Sequence, residues 1–187
     1  MTSALKVQAL INWLVSGAPP QTDYSETVAE LARRMVDAGV DADIIGLYQT
    51  PKNPLLGGRR FLWSADNGFR VREFTHADME SPRFVNGVVD VTRRAARPVR
   101  YRIGEWPEFD THPGSKPLID GGYSECAFVP LIAVNEANAV LAVGVKRNGG
   151  LADEQFGICR RIAAPLARVV ESRVRYEGAA SLLATFL

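Results

Sequence analysis

Arg60-Phe61-Leu62-Trp63-Ser64-Ala65-Asp66-Asn67-Gly68-Phe69-Arg70-Val71-Arg72-Glu73-Phe74-Thr75 reads as two strands folded back on one another. Aromatic and β-branched residues alternate with polar ones over 60–65 and 70–75, the period of a pleated backbone. Asp66-Asn67-Gly68 between them is the composition of a tight hairpin turn, because these residues tolerate the left-handed backbone such a turn demands. Strands joined so closely must run antiparallel. Working outward, the same period marks 44–50 upstream and 99–103, 125–134 and 139–147 downstream, with Asn135-Glu136-Ala137-Asn138 turning the last pair. The expectation is a central, mainly antiparallel sheet of about six strands.

Helical spacing surrounds this block. Ala4, Val7, Ile11 and Leu14 form one stripe, widened by Leu10 and Trp13, and Gly17-Ala18-Pro19-Pro20 stops it. From Ser25 onward, Val28, Leu31, Ala32, Met35 and Val36 line a second helix that Gly39 closes. Residues 81–96 read as a third, with Phe84, Val88, Val89 and Val91 as its apolar side, followed by a loop over 104–123. Residues 153–187 form one long helix, interrupted only by Gly157, Pro165 and Gly178. This order predicts an α+β fold with helices gathered on one face of the sheet and a crossover region on the other.

Along the last helix, Leu166, Val169, Arg173, Tyr176, Ala180, Leu183 and Leu187 recur at alternating steps of three and four, the seam of a coiled coil. A seam needs a partner helix, and the first helix must pack on the body of the protein or on its twin; the expectation is a homodimer whose interface draws on Val7, Ile11, Leu14, Leu166, Val169, Tyr176 and Leu183. The pattern reaches Leu187 without a Gly, Asn or Pro stop, so a further domain is expected beyond it.

Lys and Arg number 22 against 21 Asp and Glu, a net charge of +1 that gives no footing to nucleic acid or an anionic membrane. The apolar run near the N-terminus is broken by Gln8 and Asn12 and falls far short of the ~20 residues needed to span a bilayer. Two cysteines, Cys126 and Cys159, make no disulfide framework, which fits a reducing cytoplasm.

Catalytic patterns fail on inspection. Gly57-Gly58-Arg59-Arg60 lacks the lysine and following helix of a phosphate loop, and Gly122-Tyr123-Ser124-Glu125-Cys126 lacks the second glycine of a nucleophile elbow. The loops around His76 and His112 hold carboxylates of the type that ligate divalent metals, but with no ligand spacing. No catalytic residue, metal or cofactor is expected.

Leu10-Ile11-Asn12-Trp13-Leu14-Val15, Asn53 through Trp63, Ser81-Pro82-Arg83-Phe84 and Cys126-Ala127-Phe128-Val129-Pro130-Leu131, in that order, resemble the GAF-like region that precedes the catalytic domain of bacterial class III adenylate/guanylate cyclases. Ala180-Ser181-Leu182-Leu183-Ala184-Thr185-Phe186-Leu187 resembles the linker just before that catalytic domain. The resemblance implies an N-terminal helix over 1–18, a sensor core over 19–152 and an output helix over 153–187 that modulates a cyclase through a dimer. It also implies a small-molecule pocket between the sheet and the crossover region, for which Tyr48, Phe61, Trp63, Phe84, Trp106 and Phe128 are the aromatic candidates, with Arg59 or Arg100 to fix an anionic group. The alternatives are a stand-alone enzyme of the same fold, such as a methionine sulfoxide reductase using Cys126, or a module controlling a kinase or transcription factor.

Overall fold

A computed structural model describes residues 3–18, 23–134 and 136–186, with residues 136, 137 and 180–186 described by their backbone alone. Six strands, β1 (Ile44–Gln49), β2 (Gly58–Ser64), β3 (Gly68–Phe74), β4 (Val99–Arg102), β5 (Glu125–Ala133) and β6 (Glu136–Val145), form one sheet in the order β3-β2-β1-β6-β5-β4. Every adjacent pair is antiparallel. The opening hairpin closes as its composition demands: Ser64 pairs with Gly68, whose φ of 66° lies in the left-handed region, and the Asn67 amide donates to Ser64 Oγ at 3.0 Å. Two three-stranded meanders thus meet where Leu47 of β1 faces Leu141 of β6.

Helices α1 (Ser3–Val15), α2 (Tyr24–Asp37) and α7 (Asp153–Phe186) cover one face. Asp23 caps α2 by accepting the Glu26 amide at 3.1 Å. The main core lies beneath these helices, where Leu10, Leu14, Leu31, Met35, Leu47, Phe61, Leu141 and Ile162 are fully buried. The other face carries the short helices α3 (His76–Glu80), α5 (Pro107–Asp110) and α6 (Lys116–Asp120) and the two-turn α4 (Val88–Ala95). They enclose a smaller core of Val88, Tyr101, Phe109, Cys126, Phe128, Val140 and Ala142.

The expected helix over 81–96 is half that length. Asn86 adopts a φ of 62° and Gly87 is extended, so residues 81–87 form turns and the helix starts at Val88. The expected 104–123 loop holds α5 and α6, each with a proline in its first turn. The β5–β6 turn is tighter than expected: Glu136 already pairs with Ala133, and a register shift falls between Leu131 and Ile132. Asn135 lies outside the described residues.

Helix α7 runs unbroken through Pro165, whose missing amide and ring clash disfavour an interior helical site by about 3 kcal/mol. Burial offsets this. Ile158, Ile162, Leu166, Val170 and Val174, at steps of four, lie on the sheet and are each less than a tenth exposed. The seam drawn from sequence is therefore corrected along most of its length. Leu166 and Val169 of α7, and Val7 and Leu14 of α1, are buried in the protomer's own core, and Ile11 is half-buried against it. Among the described residues the core stripe of α7 ends at Val174, so the heptad starts in the core and leaves it at Tyr176, which is 74% exposed. The side chain of Leu183 lies outside the described residues.

Candidate ligand-binding site

On the crossover face the sheet and the short helices leave a cavity of two adjoining lobes. The central strands are buried on both faces, so alternate residues serve opposite cores: Ile45, Leu47 and Gln49 point to the long helices, whereas Tyr48 faces the crossover. The outer lobe, about 140 Å³, is walled by Tyr48, Phe74, Met79, Phe84, Val89 and Val140. Thr50, Asp90, Arg93 and Asn138 supply its polar edge, and the strand ends at Gln49 and Arg59 border it with their side chains turned to the long helices. The inner lobe, about 80 Å³, shares Tyr48, Phe74, Phe84 and Val89 and adds Arg60, Arg83, Leu118 and Phe128.

Local chemistry holds the walls. Thr75 and Asp78 form a capping box that starts α3, and the backbone of Thr75 and His76 passes so close to Gly57 that a Cβ there would lie 2.5 Å from the Thr75 carbonyl. Met79 lies across the neighbouring Gly58. Phe74 and Phe84 meet edge to face with centroids 4.8 Å apart. At the inner end His112 clasps two loops. Its Nδ1 accepts the Gly114 amide at 3.0 Å, so the proton of the neutral ring sits on Nε2, which donates to the Val85 carbonyl at 2.9 Å. Asp90 accepts from the Asn86 amide and pairs with Arg93 and Arg94, fixing the start of α4.

Two polar groups connect this cavity to the opposite face. Gln49, 5% exposed, borders the outer lobe and accepts a short hydrogen bond from the Tyr24 hydroxyl of α2. Burial pushes the Tyr24 hydroxyl pKa far up, and the nearby charge of Glu177 adds to the rise. Arg59, on the rim, bonds Glu177 of α7 through Nη1 at 2.8 Å and pairs with Glu73 at 2.9 Å. Lys52, in the β1–β2 connection, packs so near Gly178 that a Cβ there would stand 3.1 Å from the lysine's.

Of the eight pocket residues expected from sequence, Tyr48, Phe84 and Phe128 come together in the cavity, and Arg59 reaches its rim. Phe61 and Trp63 belong to the core under the long helices, where Phe61 packs on Tyr24 with centroids 4.9 Å apart. Trp106 stacks on Phe109 outside the cavity. Arg100 anchors α7 instead: it pairs with the buried Glu125 at 2.5 Å and Asp153 at 2.6 Å and donates to the Leu151 carbonyl. Arg60, Phe74, Met79, Arg83 and Val89 line the cavity without having been singled out. Register carries the missing signal, because Tyr48 pairs with Arg60 across β1 and β2, so both side chains lie on the crossover face. Burial raises the Tyr48 hydroxyl pKa, opposed by the charge and hydrogen bond of Arg60 and the charge of Arg83.

Cys126 lies in the crossover-face core and Cys159 in the core under the long helices, so the sheet separates the two thiols. Burial pushes each up to about 12, so both are held as thiols at neutral pH. His76 Nε2 meets the Pro54 carbonyl at 3.0 Å, and among the described residues no three His, Cys, Asp or Glu side chains converge to hold a metal ion. Among the described residues no helix is long and apolar enough to cross a membrane.

No family model matches the sequence, nor does any curated protein. Solved structures do. The GAF domain of a phosphoenolpyruvate-protein phosphotransferase from Coxiella burnetii superposes with a TM-score of 0.63 at 15% identity, over 95% of this chain and 99% of its own. This chain has the GAF fold. The GAF domain of a two-component sensor histidine kinase from Bacillus halodurans gives 0.55 at 11% identity, covering 79% of this chain and 96% of that one. Free methionine-R-sulfoxide reductase from Neisseria meningitidis, in complex with its substrate, gives 0.57 at 16% identity, covering 90% of each chain. GAF domains therefore occur in regulatory proteins and in an enzyme, and the residues of the site must separate the two.

Proposed function

We propose that this GAF domain is a cytoplasmic small-molecule sensor whose occupancy is relayed by α7 to an attached nucleotide cyclase. The observation that carries the sensor reading is that two strand positions bordering the cavity send their side chains to the helices on the opposite face, Gln49 to Tyr24 and Arg59 to Glu177. A ligand that rearranges either pair changes the hold on the last turns of α7, and the two arrangements need differ only by the ligand's preference for one of them. The cyclase rests on the sequence resemblance, above all at residues 180–187. In the homodimer we propose, the helices pair at their distal ends, from Tyr176 toward Leu183, because Arg161, Arg168 and Arg175 are exposed along α7 before that point and would repel their copies in an in-register pair.

The sulfoxide reductase alternative finds no support in the thiols, which lie on opposite sides of the sheet and are held protonated. The output is tested by extending the chain past Leu187 with its natural downstream sequence and assaying cyclisation of ATP and GTP. Cyclic product from one of them is expected; none from either refutes the cyclase, and a kinase or transcription factor then becomes the output to assay. Sedimentation of residues 1–187 tests the dimer, and a monomer at micromolar concentration removes the paired-helix relay.

A further inference from the structure

Arg60 and Arg83 stand out among the cavity's charges. Arg59 and Arg93 at the outer lobe are each paired with a carboxylate, but among the described residues neither Arg60 nor Arg83 has an ion-pair partner. Among the described residues no carboxylate lines the inner lobe they share with Tyr48, Phe74, Phe84 and Phe128. Arg60 Nε is out of contact with solvent and has no hydrogen-bond partner. Arg60, half-buried with an unsatisfied buried donor beside an apolar lobe, is in an unfavourable arrangement that an anion would relieve, and the exposed Arg83 adds a second positive charge to the same lobe.

We infer that the inner lobe seats the anionic head, carboxylate or phosphate, of a small organic acid whose apolar body fills the outer lobe. The planar fork of a guanidinium matches both head groups. The size of the lobes limits the rest of the molecule. The outer lobe, about 140 Å³, is close to the ~150 Å³ of an engineered apolar cavity that takes benzene, so it fits one ring or a short branched chain. Both lobes fall well below the ~300–1,000 Å³ typical of sites for drug-sized ligands, which disfavours a large chromophore or a dinucleotide. Phe74 and Phe84 line both lobes and supply apolar surface to such a body.

This inference rests on the proposal that the cavity takes a ligand. It is tested by calorimetric titration of residues 1–187 with benzoate, phenyl phosphate, inorganic phosphate and the neutral benzamide. A probe of this size that fits should bind with a Kd of about a millimolar. Benzoate or phenyl phosphate should bind at least about tenfold more tightly than benzamide and inorganic phosphate, and Arg60→Gln or Arg83→Gln should each weaken that binding by about tenfold or more. Arg175→Gln on the outer face of α7 should change nothing. The preference between benzoate and phenyl phosphate identifies the head group. If Arg60→Gln fails to fold, Arg83→Gln, at an exposed turn, decides alone. Benzamide binding as well as benzoate, or undiminished anion binding in the variants, overturns the anionic head while leaving a sensor cavity. Inorganic phosphate binding as tightly as phenyl phosphate overturns the apolar body. Failure of all four probes to bind at about 10 mM overturns the cavity as a ligand site, and with it the sensor reading.

Discussion

Glu177→Gln removes the charge through which the rim of the cavity holds α7, and its effect can be worked from the contacts. Arg59 Nη1 reaches both Glu177 oxygens, at 3.1 and 2.8 Å, and its side chain is only 16% exposed. A charge-assisted hydrogen bond in such a setting contributes about 1.5–3 kcal/mol, but Glu177 is 36% exposed, and exposed ion pairs contribute only about 0.2–1 kcal/mol. Glu73 also remains on Arg59 when Glu177 is neutral. The expected coupling is therefore about 1 kcal/mol, enough to raise the open population of the local helix about fivefold. Hydrogen exchange is the assay. Amides 176–179 should exchange about fivefold faster in Glu177→Gln and in Arg59→Gln, no faster still in the double variant, and amides 158–170 on the sheet should be unchanged. A coupling below about 0.3 kcal/mol from the double-variant cycle, or equal exchange at 176–179, would refute the latch.

Two further outcomes follow from buried groups. Glu125→Ala strips the buried partner from Arg100 and leaves the Leu151 amide without its acceptor; because Arg100 keeps Asp153, the Leu151 carbonyl and some access to water, the loss should be near 3 kcal/mol, a fall in Tm of about 6–12 °C in thermal melts, and a fall under about 2 °C would show the clamp to be dispensable. Cys126 and Cys159 should stay unmodified by a thiol reagent at pH 7 in the native protein and react fully once denatured, since their thiols are held up at about 12; rapid native reaction at Cys126 would reopen the enzymatic reading.

The sheet was legible because its cues are local: Asp66-Asn67-Gly68 dictates a hairpin, and period two marks every strand but β6 to within two residues at either end, β6 starting three residues before the expected 139. The faces of the strands were not. β1, β5 and β6 are buried on both sides, so Tyr48 and Leu47, or Phe128 and Val129, look equally apolar, and only register reveals that Tyr48 and Arg60 share a face while Phe61 serves the opposite core. Arg59 and Arg60 differ by one position, which in a strand means opposite sides. The overlong helix at 81–96 has a similar origin: Phe84, Val88 and Val91 keep helical spacing across a turn that Asn86 and Gly87 impose. In α7 the heptad and the true core stripe coincide at Leu166 and part company after it, so the sequence pattern pointed at a partner chain where the protomer's own sheet stands.

The closure of the main core by α1 and α7 together sets the order in which the protein can be made. α1 leaves the ribosome well before α7, yet the surface it covers is completed by residues up to Val174. The β1–β3 meander is in hand by Phe74, and at about 5–20 residues per second the remaining hundred or so residues take roughly 5–20 s to arrive. During that interval Val7, Leu10, Trp13 and Leu14 have no final resting place. Until α7 emerges the nascent chain thus carries the apolar face of α1 uncovered, the kind of stretch that chaperones at the tunnel exit hold.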